Sequence, residues 1–159
     1  MNTNISMTNV SFDYLSMSPG FLNLIIHNIS SCVLLLNKDM MLQAYNEPLK
    51  TMFSNKPDNN IIYQKCGNVI GCAYAVEEEQ ECGNTSHCKF CTLRLSALTT
   101  YNEGIVVSKE KISREFYTTV MEKEMKHLQF STRLFNFEQE RYILLIIDDI
   151  TPLVTNIPV

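Results

Sequence analysis

Residues 128–151 read LQFSTRLFNFEQERYILLIIDDIT, and their pattern decides the fold. Leu128, Phe130 and Leu134 alternate with Gln129, Ser131 and Arg133, the period of a strand with one buried face. Residues 142–148 are a second, almost wholly apolar run. Glu138-Gln139-Glu140 lies between the two as a turn, so the pair is expected to fold back on itself.

Working outward, a further strand is expected within 105–120. Before it, residues 88–102 predict a helix: Cys91, Leu95 and Leu98 fall at i, i+4 and i+7, and Gly104 is placed to end it. Residues 32–36 and 40–45 read as two short strands joined by the turn Asn37-Lys38-Asp39. Asn46 stands where a helix N-cap belongs, with Pro48 in the first turn and Leu49, Met52 and Phe53 on an apolar face. FLNLIIHNI, at 21–29, predicts a short helix after Pro19-Gly20. Residues 1–19 are a polar arm carrying Phe12, Tyr14 and Leu15, 54–60 a loop and 153–159 a tail. Residues 61–83 show no clear period. The organisation is α+β, with one domain over 20–152.

A chain of 159 residues can bury a full core without a metal to support it. With 45% hydrophobic and 19% charged residues it is ordinary for a globular protein, so a metal here is an addition to the fold. A net charge of -4 argues against nucleic acid or an anionic membrane surface as partner. The N-terminus lacks the basic start and apolar core of a secretory signal, and apolar runs such as 143–147 are too short to span a bilayer. A cytoplasmic location is expected. Thiols stay reduced there, so the six cysteines read as ligands or catalysts rather than disulfides.

Cys72, Cys82, Cys88 and Cys91 lie within twenty residues of one another, the ligand count of a tetrahedral zinc site or an iron–sulfur cluster. Cys88 and Cys91 would share a face of the helix expected at 88–102, and a helix N-terminus favours the thiolate. The intervening lengths of 9, 5 and 2 residues are less typical of a zinc knuckle, yet thiolates suit both metals. His87 is a further candidate ligand. Cys32 sits in an apparent core strand and is left out of the site; the methionines, Met40, Met41 and Met52 among them, read as core filler. His27 and His127 have no candidate ligand beside them. Glu77, Glu78, Glu79 and Glu81 read as a solvated loop face, while Lys65, Lys89 and Arg94 are placed to offset thiolate charge.

The order of elements resembles a PAS domain: a short helix, a hairpin ending in Asn46, small helices, then three antiparallel strands closing on Asp149-Ile150-Thr151. The resemblance implies a five-stranded antiparallel sheet with short flanking helices, covering residues 20–152. More specifically, Gly71-Cys72, Cys82-Gly83 and Cys88-Lys89-Phe90-Cys91 resemble a bacterial PAS subgroup with a cysteine-rich insertion, here residues 66–91. That subgroup often carries Arg-Pro-Gly-Glu before the insertion, where this chain has Lys65-Cys66-Gly67-Asn68, so Cys66 is an open fifth thiol. The resemblance implies a sensory or regulatory module, not an enzyme, signalling through a partner or a homodimer. The stretch around the reactive cysteine of flavin-binding PAS domains is missing.

Two other classes compete. One is a zinc-stabilised interaction domain with no sensing role. The other is a thiol enzyme using Cys88-Lys89-Phe90-Cys91, which would need a βαβ unit that nothing before Cys88 suggests. No phosphate-binding glycine loop and no Ser-His-Asp set in a recognisable context is present.

Overall fold

The computed structural model describes residues 18–53, 61–118 and 122–155. Most of the expected N-terminal arm, the loop 54–60 and the end of the tail lie outside the described residues. In chain order, α1 (Pro19–Asn28) leads into β1 (Cys32–Leu36) and β2 (Leu42–Tyr45). Three short helices follow: α2 (Pro48–Met52), α3 (Cys66–Ile70) and α4 (Ala73–Glu77). A 3-10 turn (Cys88–Phe90) precedes the longer α5 (Thr92–Glu103). The strands β3 (Val107–Tyr117), β4 (Lys123–Phe137) and β5 (Glu140–Asp149) then complete the sheet, and α6 (Thr151–Thr155) follows.

The sheet has five strands in the order β2-β1-β5-β4-β3, every neighbouring pair antiparallel. β5, with its near-continuous apolar run, takes the central position between β1 and β4. The register sets Leu34 and Thr132 on either side of Leu145, and Cys32 and Phe130 on either side of Ile147. The two-residue period then gathers Cys32, Leu34, Leu36, Leu128, Phe130, Ile143, Leu145 and Ile147 on one buried face. Full burial of such a leucine, isoleucine or phenylalanine is worth about 1.5–3 kcal/mol, so this face dominates the core. α5 contributes buried Leu93 and Ala97 to the same core, and also Thr100. The Thr100 hydroxyl donates to the Ile105 carbonyl at 2.6 Å and lies 2.6 Å from the Thr132 hydroxyl. Both buried hydroxyls are thereby satisfied.

Two sequence expectations are corrected. The helix expected at 88–102 begins only at Thr92. Cys91 has extended backbone and acts as N-cap, its Sγ accepting the Arg94 N–H at 3.5 Å. Cys88 belongs to the 3-10 turn, so the two thiols do not share the first turn of one helix. Asn46 does not cap α2 either; Glu47 occupies that position. Asn46 is buried, accepting from Val33 N–H at 2.8 Å and donating to the Ile26 and Ser31 carbonyls at 2.8 and 2.9 Å. An amide offers one acceptor and two donors, so it can tie three backbone segments where a cap would use the acceptor alone.

The second strand starts at Leu42 rather than Met40, with Met41 bridging to Lys65. Residues 61–83 lack a period because their helices are single turns; α3 stops at Gly71, whose φ of 79° is left-handed. α1 buries no side chain, and Phe21, Leu22, Leu24, Ile25 and Ile29 are exposed. Among the described residues no helix is long and apolar enough to cross a membrane.

Candidate metal centre

α3, α4, the loop after them and the inner side of β3 surround one pocket. Cys66, Cys72, Cys82, Cys88 and Cys91 all line it, together with Arg94, Arg114, Tyr74 and His87. All six cysteines are free thiols.

Each thiol is placed by a separate device. Cys66 opens α3 and is fully buried. Gly71 reverses the chain so that Cys72 returns alongside β3. There Cys72 bridges to Phe116, and Tyr117 N–H donates to the Gly71 carbonyl at 2.7 Å. Cys82 donates its N–H to Asn68 Oδ1 at 2.8 Å, and its side chain lies directly against Gly67. A Cβ on Gly67 would stand 2.7 Å from Cys82 Sγ, so only glycine lets the thiol in. Cys88 Sγ accepts from Gly83 N–H at 3.0 Å and lies 2.8 Å from Thr85 Oγ1. Cys91 Sγ receives a second donor, Arg114 Nη1, at 3.2 Å.

The acidic run is more than a solvated face. Glu78 accepts from the Ser86 N–H and hydroxyl at 2.9 and 2.7 Å, closing the loop that carries Cys82. Glu77 binds Lys123 at 2.8 Å and the Tyr117 hydroxyl at 3.1 Å, holding α4 to the sheet.

The thiols differ in their electrostatics. Burial pushes Cys66 well up, and the neighbouring cysteines add to the effect. Burial pushes Cys82 up to about 11, against a lowering contact with the Gly67 backbone. Cys88 goes the other way. Burial opposes its thiolate, but the Thr85 hydroxyl, the Gly83 and Thr85 backbone and the Arg94 charge outweigh it and lower the pKa. Arg114 is half-buried, yet its hydrogen bond to Cys91 and the nearby Cys91 and Cys72 sulfurs more than offset the burial and hold its charge. Cys32 lies in β1, outside the pocket lining. Burial and then Asp148 push it up to about 12, as suits a core thiol.

The four expected ligands are thus brought to one pocket, with Cys66 beside them. His87 also lines it, with its ring stacked on Tyr74 at 4.2 Å. Of the three basic residues expected to offset thiolate charge, only Arg94 lies at the pocket. Lys65 Nζ donates to the Asp39 carbonyl at 2.7 Å, and Lys89 lies 5.3 Å over the Phe90 ring. His27 Nδ1 accepts from Glu47 N–H at 3.0 Å and His127 Nδ1 pairs with Ser113 at 2.6 Å. The sequence reading missed Arg114, Thr85, Asn68 and the packing role of Gly67. Arg114 carried a signal: it shares the inward side of β3 with Ile112 and Phe116, where a charge needs a reason.

The donor set suits a thiolate-bound group. Backbone N–H, hydroxyl and guanidinium donors point at sulfur, the outer contacts that tune such centres. Among the described residues no three histidine, cysteine, aspartate or glutamate side chains are arranged to hold a single metal ion. The Cys88–Cys91 pair sits at a 3-10 turn beside an antiparallel sheet, not after a strand of a βαβ unit.

No protein-family model matches the sequence, and no curated protein matches it. Solved structures do match the fold. The PAS domain of nitrogen regulation protein NR(II) from Vibrio parahaemolyticus superposes with a TM-score of 0.59 at 12% identity, over 82% of this chain and 98% of that one. The PAS domain of an HTR-like protein from Haloarcula marismortui gives 0.54 at 12% identity, over 87% and 97%. An RNA-binding Light-Oxygen-Voltage receptor gives 0.58 at 12% identity, over 87% of this chain and 34% of that one. At such identities the likeness defines the fold: an α+β PAS fold with a five-stranded antiparallel sheet and a few short helices.

Proposed function

We propose that this chain is a sensory or regulatory PAS module whose pocket holds an iron–sulfur cluster through Cys72, Cys82, Cys88 and Cys91, and that it reports redox state or a reactive gas to a partner protein or a second copy. The observation that carries this is the gathering of five thiols around one pocket together with two arginines. These cysteines span 25 residues of sequence, and the neighbouring sulfurs raise the pKa of Cys66 and Cys82. A group that binds several thiolates turns that repulsion into affinity. A single zinc ion would need four sulfurs about 2.3 Å from one point, whereas thiolates serve iron–sulfur clusters as well. The similarity of the cysteine spacing to the cysteine-rich PAS subgroup supports the same ligand set. When bound, such a centre supplies reversible one-electron chemistry; the chain supplies the thiolates, the donors to them and a pocket of restricted access.

The test is purification without oxygen, with absorption spectrum, iron, acid-labile sulfide and zinc measured on one sample. Visible absorption with iron and sulfide in equal amounts is the expected result. A colourless protein with one zinc establishes the zinc-stabilised interaction domain instead, and a protein with neither metal overturns the metal centre altogether. The exposed apolar side chains of α1 favour it as the signalling surface.

A further inference from the structure

We propose that Arg114 is the charge partner of this pocket and sets how readily the centre bound there accepts an electron, an inference that rests on the iron–sulfur reading above. Arg114 lies on the inward side of β3, between buried Ile112 and Phe116. Its guanidinium places Nη1 3.2 Å from Cys91 Sγ and lies 5.7 Å over the Tyr74 ring. Burying a cation costs several kcal/mol unless an anion accompanies it. Among the described residues no carboxylate stands within salt-bridge distance of Arg114; the groups facing it are the Cys91 and Cys72 sulfurs. Those sulfurs are therefore the groups on which its charge acts.

Arg94, the other guanidinium at the pocket, is different. Its side chain packs along the Gly83 backbone, 3.4 Å from where a Cβ would stand, and its charge acts on Cys88; at Cys91 Sγ only its backbone N–H donates. Arg114 is also fixed from behind. β3 is paired to β4 throughout this region, with Arg114 opposite Lys126, so the ladder fixes the backbone from which the guanidinium reaches Cys91. A fixed positive charge at a ligand sulfur stabilises the state with the extra electron. The step is a one-electron reduction. A low-potential one-electron donor, a viologen dye in the assay, loses one electron and the centre gains it, while Arg114 keeps its proton and every cysteine ligand stays bound.

The experiment compares the wild-type protein with Arg114→Gln and Arg114→Lys, each reconstituted without oxygen and titrated with viologen dyes by absorption. Iron and sulfide content is measured on the same samples. Arg114→Gln is expected to cut the reduced-to-oxidised ratio at a fixed potential at least tenfold, a downward shift of about 59 mV for a one-electron couple. Arg114→Lys, which keeps the charge, is expected to recover most of it. Equal midpoints in all three proteins, or an equal fall in both variants, overturn the role. Should Arg114→Gln fail to hold iron, the contrast is read as retention: recovery in Arg114→Lys supports the charge, and no recovery overturns it. Wild-type protein that binds no iron and sulfide removes the parent reading, an outcome seen before any variant is compared.

Discussion

At the scale of single residues, Gly67 and Asp149 make separate predictions. Gly67 is the floor against which Cys82 rests. In Gly67→Ala the new Cβ would meet Cys82 Sγ and Cβ at 2.7 and 2.8 Å, so the loop must move. Overpacking of this kind costs about 1–3 kcal/mol, read as a lower urea midpoint, and iron uptake should fall with it. Gly20→Ala, in a helix with nothing within 4 Å of the new Cβ, is the control and should be neutral or slightly stabilising. An unchanged midpoint in Gly67→Ala would contradict the close contact. Asp149 is partly buried, which alone would raise its pKa. The Thr151 contacts and Lys126 at 3.1 Å outweigh this and hold it below its ordinary value of 3.8. A depressed carboxylate contributes stability above its unfolded pKa and loses it as pH falls through the folded one. Wild-type protein should therefore lose more stability than Asp149→Asn between about pH 5 and pH 2, by about 1 kcal/mol for a pair with this access to solvent. Parallel acid limbs for the two proteins would remove Asp149 from that role.

At the scale of elements, two buried polar contacts tie helices to the sheet. Asn46 joins α1, the segment after it and β1 through three hydrogen bonds while only 1% exposed. Asn46→Ala leaves a part-buried Val33 N–H without its acceptor and should cost about 1–3 kcal/mol. Amide exchange should quicken at Val33 while β4 stays protected. Exchange that quickens evenly over the whole sheet would mean that Asn46 does not act locally. The Thr100–Thr132 pair joins α5 to β4. Thr100→Val strands the Thr132 hydroxyl and should cost about 1–3 kcal/mol, whereas Thr132→Val leaves Thr100 its bond to the Ile105 carbonyl and should cost less. The double variant should be clearly less unstable than the sum of the two, because no hydroxyl is left unpaired. Strict additivity in urea denaturation would show that the two hydroxyls act independently.

At the scale of the whole molecule, the pocket depends on segments that the sheet brings together. Serine at Cys72, Cys82, Cys88 or Cys91 should each lower bound iron severalfold in anaerobic metal analysis, whereas Cys32→Ser should leave the metal content unchanged. Full iron in Cys82→Ser together with loss in Cys66→Ser would move the ligand set to Cys66. β3 is where pocket and sheet meet: it carries Arg114 against Cys91, and its last residues hold the Cys72 segment. A change at the sulfurs has a direct route into an edge strand.

The element order and the strands were legible because alternation and turn residues are local signals. Cys32, Leu34 and Leu36 already share one side of a strand, and Leu128 and Phe130 do so in another. The cysteine spacing likewise marked Cys72, Cys82, Cys88 and Cys91 as one candidate site. The helix expected over 88–102 was drawn too early because a cysteine thiol can cap a helix, a role that periodicity does not reveal. Asn46 looked like a cap because the sequence shows its neighbours along the chain and not the carbonyls of Ile26 and Ser31. Tertiary structure alone decided that Arg114 faces Cys91, that Cys82 rests on Gly67, and that Lys65 and Lys89 point elsewhere. The contacts of Arg114, Cys82 and Lys65 join residues 15 to 26 positions apart through sheet register and loop closure, and side-chain direction across such gaps is set by packing, not by local spacing.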